Sequence, residues 1–255
     1  KGRDLMSLRL QNKYALITGG TAGIGLETAK QFSLEGAYVA VTGRGKEGLV
    51  KAQGELGEST IVLQNDSSDI HQQHKLAEEI KSVFPKLDVL YINAGDVTHK
   101  SLDEWDEENF DRVINTNLKG PFFLIRSLLP ILSESASIIL CGTVSAQIGL
   151  PKSSVYSASK AGLISLARTL SGELKHLGIR VNTLSPGPTQ TEAFDKFGLP
   201  ESEQIVLINE VKELVPLKRL GTPLELAKAA VFLASDESAY MLGSELLIDG
   251  GVGNL

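Results

Sequence analysis

Tyr156 and Lys160 stand four residues apart in the stretch YSASK. On a helix that spacing puts both side chains on one face. A phenol titrates near about 10, and an ammonium beside it favours the phenolate, so the pair is suited to exchanging a proton near neutral pH. The same spacing also describes any exposed Tyr/Lys pair on a helix surface, so the surrounding sequence has to decide between the two. Upstream, in ILCGTVSAQ (139–147), Thr143 and Ser145 offer two hydroxyls. A tyrosine acting as an acid is helped by a second hydroxyl on the same substrate oxygen. An extended strand would hold these two residues roughly 7 Å apart, so only one of them is expected to reach that oxygen.

A second group of residues points to a ligand. TGGTAGIG, Thr18 to Gly25, follows an apolar run and opens a helical one. Thr18, Gly19, Gly23 and Gly25 fit the pattern TGxxxGxG. Glycines there let the backbone turn sharply and approach a pyrophosphate, and the helix start supplies unpaired N–H groups. A tight strand-to-helix turn would use similar residues, but the position after the first strand favours a dinucleotide site. The second strand ends in TGRGK without the carboxylate that would bind an adenosine ribose diol. Arg44 can instead fork onto a 2′-phosphate with Lys46 nearby, although Ala22 adds no basic residue to the glycine loop. NADP(H) is the expected cofactor, with NAD(H) as the alternative.

The elements that must position these groups are legible as an alternation. Short apolar runs (14–18, 38–42, 60–64, 87–92, 137–141, 180–185 and 245–249) are separated by helical patterns, including 24–34, 70–83, 110–132, 153–177 and 223–234. Near-continuous apolar strands between helices predict a doubly wound parallel sheet in a three-layer α/β/α Rossmann-type domain. One dinucleotide-binding and catalytic domain is expected over 8–255. The Pro/Gly-rich, charged excursion at 187–220, with a helical patch near 203–214, is expected to form a substrate lid over about 188–217. Residues 1–7 are read as a disordered or cloning-derived tail, in which Lys1 to Leu5 precede a natural start at Met6.

Composition narrows the function. The 255 residues are 42% hydrophobic with a net charge of −6, enough for a sizeable core but without general attraction to nucleic acid or anionic membranes. No apolar run reaches the roughly 20 residues of a membrane span. Cys141 is the single cysteine, so no internal disulfide forms, and it reads as a small buried filler in a cytoplasmic protein. Histidines 71, 74, 99 and 176 show no zinc spacing, and no metal is expected.

With TGGTAGIG (18–25), ND (65–66), NAG (93–95), NTNLKG (115–120), YSASK (156–160), SPGPTQT (185–191) and IDGG (248–251) in this order, the chain resembles the short-chain dehydrogenase/reductase family from about Leu8 to Gly251. Ile92 departs from the asparagine that many members carry before NAG. The resemblance implies that Tyr156 is the general acid/base and that Lys160 anchors the nicotinamide ribose and lowers the tyrosine pKa. Asn117 would support a water-linked proton relay, where the residue-level alternative is a side chain fixing a helix kink. Thr143 takes the place of the family's serine, thirteen residues before the tyrosine, and is preferred over Ser145; its methyl would narrow the pocket. Gly19, Thr21, Gly23, Ile24, Gly25 and Arg44 would hold the cofactor phosphates, with Asp66 beside the adenine. Asn93, Ala94 and Gly95 would run along the cofactor, and Pro186, Gly187, Thr189 and Thr191 would lie against the nicotinamide.

The implied activity is NADP(H)-dependent interconversion of a ketone or aldehyde and an alcohol, acting on small molecules as a homo-oligomer. A tetramer is expected, with the helices at 110–132 and 153–177 at one interface and the carboxyl-terminal region at another. Reduction of 3-oxoacyl groups on acyl carrier protein is the nearest rival; of the regions that would meet that acidic carrier, only KHLG (175–178) is basic, while SESAS (133–137) is not. A non-catalytic dinucleotide sensor is the rival of another class, and it would not need Asn117, Thr143, Tyr156 and Lys160 together.

Overall fold

The computed structural model describes residues 8–192 and 200–255. The expected tail at 1–7 and the part of the expected lid at 193–199 lie outside the described residues. Seven strands, β1 (Tyr14–Thr18), β2 (Tyr38–Gly43), β3 (Ile61–Gln64), β4 (Leu87–Ile92), β5 (Leu132–Cys141), β6 (Arg180–Pro186) and β7 (Glu245–Ile248), form one sheet in the order β3-β2-β1-β4-β5-β6-β7. Every pairing is parallel. The helices are α1 (Gly23–Leu34), α2 (Lys46–Leu56), α3 (Ile70–Val83), α4 (Glu107–Ile114), α5 (Gly120–Leu128), α6 (Ser154–Leu174), α7 (Glu201–Leu214) and α8 (Pro223–Ala234).

Strand side chains alternate between two cores, which is why the strand sequences are apolar almost throughout. Leu16, Leu90, Ile92, Ile138 and Leu140 face a core shared with α3, α5 and α6. Ala15, Ile17, Val89, Tyr91, Ile139 and Cys141 face the opposite core, with α1 and α8. These are the three layers of a doubly wound α/β/α fold. After β3 the chain returns to the far side of β1, so a crevice opens between the carboxyl ends of β1 and β4, the usual ligand position in such sheets.

Three differences from the sequence reading have local causes. The helical pattern expected over 110–132 is α4 and α5 joined by a turn of wider π pitch at Asn115–Lys119. It ends at Leu128, where Pro130 follows in a short tight turn (Leu129–Ile131), and β5 then begins five residues ahead of the expected start at 137. Gly120 starts α5 because a side chain there would overlap the Ser67 carbonyl. The third difference is α2, which carries no legible apolar stripe because Ala52 is its one fully buried residue.

The excursion after β6 leaves and returns at one point. Gln190 N donates to Gly221 O (2.9 Å) and Gly221 N to Pro188 O (2.9 Å), pinching its base, while α7 lies between.

Candidate active site

The loops beyond β1, β2, β4, β5 and β6 surround a cavity of about 400 Å³. Gly19, Thr21, Gly23, Ile24, Arg44, Asn93, Ala94, Gly95, Thr143, Tyr156, Lys160, Pro186, Gly187, Thr189 and Thr191 line it. Gly25, Asp66 and Asn117 do not.

The glycine loop is built from the ends of β1 and β4. Thr18 Oγ1 accepts from the backbone N–H groups of Asn93 (3.0 Å) and Ala94 (3.1 Å). Asn93 Nδ2 donates to the carbonyls of Thr18 (3.1 Å) and Gly19 (3.0 Å). Gly19 has φ +64°, and a Cβ there would sit 2.8 Å from Ala94 Cα. Gly25 is a packing glycine: a Cβ would run into the Gly19 carbonyl and lie 2.5 Å from Asn93 Nδ2. At the cap of α1, Ala22 has no side chain to bond the first N–H groups of the helix. A backbone-lined cradle with helix N–H groups pointing out of it fits the pyrophosphate of a dinucleotide.

At the end of β2, Arg44 is exposed and lines the cavity, and among the described residues no carboxylate pairs with its guanidinium. Lys46 opens α2 and does not line the cavity. Asp66, expected beside the adenine, is not among the residues that line the cavity. Its carboxylate accepts from the N–H (2.9 Å) and hydroxyl (2.8 Å) of Ser68, which folds it into its own turn. Asn65 and Ser67, on either side, line the cavity instead. Asn65 is buried and fixed through Gln73 Nε2 (3.3 Å) and the Gln72 carbonyl (3.1 Å). The alternation of side chains along an extended segment is the signal that separates these neighbours from Asp66.

The reactive groups meet at the end of β5. Extended structure stops at Cys141, and Thr143 caps a short tight helix at Val144–Ala146. The roughly 7 Å separation of Thr143 and Ser145 expected from an extended strand therefore does not hold: their hydroxyl oxygens are 3.1 Å apart, and Ser145 N donates to Thr143 Oγ1 at 3.3 Å. Thr143 lines the cavity, while Ser145 is buried behind it.

Burial dominates the electrostatics of the site. Burial pushes the Tyr156 phenol well above its ordinary pKa, neighbouring Cys141 adds in the same direction, and the Thr143 side chain acts the other way. Lys160 is turned to a different partner. Its Nζ donates to the Cys141 carbonyl at 2.7 Å, and burial lowers its own pKa against the opposing influence of Cys141. The amine thus sits on the cavity wall, 3.3 Å from where a Cβ at Gly95 would lie.

Asn117 sits in the π turn, fully buried. Its Oδ1 accepts from Asp96 N (2.7 Å), and its Nδ2 donates to Asp96 O (2.9 Å) and Ser159 Oγ (3.0 Å). The side chain clamps the segment after Gly95 against α6. Asp96 is held again from α4 by Arg112 Nε at 2.8 Å. His99 was not legible as a site neighbour. Its ring meets Tyr156 edge to face at 5.4 Å, and its Nδ1 lies 2.8 Å from Ser153 Oγ. Ser153, at the cap of α6, bonds this ring and leaves the helix end without a side-chain cap. No spacing rule links 99 to 156.

Among the described residues no group of three or more His, Cys, Asp or Glu could hold a metal, and no helix is long and apolar enough to cross a membrane.

Known proteins share the fold and much of the sequence. Residues 19–253 match the family described as Enoyl-(Acyl carrier protein) reductase. The chain is 39% identical over 249 residues to Oxidoreductase asL5 of Sarocladium schorii, covering 97% of this chain and 98% of that one. It is 37% identical over 251 residues to the 3-oxoacyl-[acyl-carrier-protein] reductase FabG of Thermotoga maritima, covering 96% and 99%. A solved short chain dehydrogenase/reductase family protein superposes with a TM-score of 0.85 at 34% identity, over 97% of this chain and 100% of the other. A parallel sheet switching direction at a glycine cradle, with full-length relatives of this kind, leaves one conclusion: the chain belongs to the short-chain dehydrogenase/reductase family, oxidoreductases that act on CH–OH groups with NAD(P)(H).

Proposed function

We propose that this protein interconverts a ketone or aldehyde with the corresponding alcohol, using NADP(H), in the cytoplasm and as a homotetramer. The observation that carries the reading is that Thr143, Tyr156 and Lys160 line one wall of the same cavity that contains the glycine cradle. When bound, the nicotinamide supplies a hydride to the carbonyl carbon. Everything else falls to the chain's own groups. Tyr156, held protonated by burial, is the group that gives its proton to the carbonyl oxygen as negative charge develops there. Thr143 donates a hydrogen bond to that oxygen as charge develops on it. Lys160, an amine on the cavity wall, is available to the ribose hydroxyls. Asn117 acts through Asp96, fixing the segment along which the cofactor would lie. Arg44, exposed at the far end without a carboxylate partner among the described residues, favours a 2′-phosphate and hence NADP(H).

A second reading, reduction of 3-oxoacyl groups on acyl carrier protein, is favoured by the 37% identity to a FabG over nearly the whole chain. A panel of ketones, aldehydes and 3-oxoacyl thioesters with both cofactors separates the two. Tyr156→Phe is expected to lower turnover of the accepted substrate by about 10²-fold or more while NADPH still binds, since general acid catalysis contributes on that order. Unchanged turnover in Tyr156→Phe would remove the tyrosine from the mechanism.

A further inference from the structure

We propose that Ser145 is a positioning residue that fixes the direction of the Thr143 proton, so that Thr143 can act only as a donor toward the reacting oxygen; the inference rests on the carbonyl-reducing reading above. A hydroxyl has one proton and two lone pairs. Ser145 N–H points at Thr143 Oγ1 and takes one lone pair. The Ser145 hydroxyl lies 3.1 Å from the same oxygen, and Thr143 lines the same cavity as Tyr156.

Two arrangements are open. If Ser145 donates to Thr143, both lone pairs of Thr143 are occupied and its single proton has to leave toward Tyr156 and the cavity. If Thr143 donates to Ser145, the Ser145 proton has no other acceptor among the described residues, in a side chain only 4% exposed. A buried hydroxyl proton without a partner is costly. The second arrangement would also turn a lone pair of Thr143 toward an oxygen that gains negative charge. The first satisfies every group, because Ser145 keeps its proton throughout and only orients its neighbour.

The pair can form because the chain turns at Thr143. Backbone curvature brings residues i and i+2 together, whereas a continued strand would have kept them apart. Ser145 does not line the cavity and has no contact with substrate in this role.

The test uses the full chain and the carbonyl compound of the panel that the wild type reduces fastest. Ser145→Ala is expected to lower kcat by about tenfold or more with KM changed less than about twofold, since a preorganised donor is worth on that order or more. Ser145→Thr, which restores the hydroxyl, should recover most of kcat. In a Thr143→Ala background, adding Ser145→Ala should change nothing further, because Ser145 acts through Thr143. NADPH fluorescence checks that each variant still folds and binds cofactor. Should Ser145→Ala fail that check, Ser145→Cys keeps the shape with a weak S–H donor and is expected to show the same selective kcat loss. Wild-type kcat in the Ala or Cys variant, or a full multiplicative loss in the Thr143→Ala background, would overturn the proposal. Tyr156→Phe separates the two levels: if it is inactive while Ser145 proves neutral, only this inference falls. If it is fully active, or the wild type reduces no carbonyl, the underlying reading falls and takes this inference with it.

Discussion

Lys160 shares a helix face with Tyr156, yet its ammonium is directed to the Cys141 carbonyl, and the phenol is shifted upward by burial. The two side chains are therefore set by separate surroundings, the phenol by burial and the amine by its bond to the Cys141 carbonyl on the cavity wall. Arg44 is a residue of a different kind, exposed and defined by the ligand group it would meet. A charge-assisted hydrogen bond is worth about 1.5–3 kcal/mol. Arg44→Ala is thus expected to lower the ratio of kcat/KM for NADPH over NADH by about tenfold to a hundredfold, measured with one carbonyl substrate and both cofactors. Equal losses with the two cofactors would mean that Arg44 does not read the 2′-phosphate. Much of the cavity wall was legible because its residues sit in contiguous motifs: glycines 19 and 23, Asn93 to Gly95, and Tyr156 with Lys160. The separation of Thr143 and Ser145 was misjudged and His99 was overlooked for a shared reason. Each is placed by how a loop turns, and the turn at Thr143 depends on contacts that no periodicity encodes.

At the scale of elements, strands were legible because burial on both faces leaves an unbroken apolar run, and α2 was not because it buries so little. The joint between β1, β4 and β5 depends on one carboxylate. Asp88 accepts from Tyr14 N (2.9 Å) and Ser133 Oγ (2.6 Å), with Lys86 at 2.9 Å. Burial by itself would raise this carboxyl. The hydrogen bonds from Ser133, Tyr14 and Lys86, with the Lys86 charge, together hold it below its ordinary 3.8. A carboxyl lowered on folding contributes its full stability above its unfolded pKa and loses that contribution as pH falls through the folded value. Asp88→Ala is expected to cost about 1–3 kcal/mol at pH 7, since it strands two donors. In urea titrations the gap to wild type should close as the pH drops below about 4. A gap of constant size down to pH 3 would show that the charge of the carboxylate is not its source.

For the whole molecule, α4 and α5 leave Phe110 and Phe122 more than a third exposed on the outside of one layer. Aromatic rings on an outer helical face suit a subunit interface. Light scattering is expected to give about four times the 27.3 kDa chain mass, and Phe122→Glu to reduce it. A monomeric wild type would refute the tetramer. Inside the chain, the stretch Asn115–Lys119 acts as a frame-setter. Its winding takes up about one residue more per turn than the helices on either side, so rewinding it to α pitch with no residue removed would swing everything from Phe122 to Leu128 by about one residue's rotation, roughly 100°, around the axis. Asn117 would turn away from Asp96 in the same movement. The wide pitch of that stretch is therefore as constrained as the amide it carries.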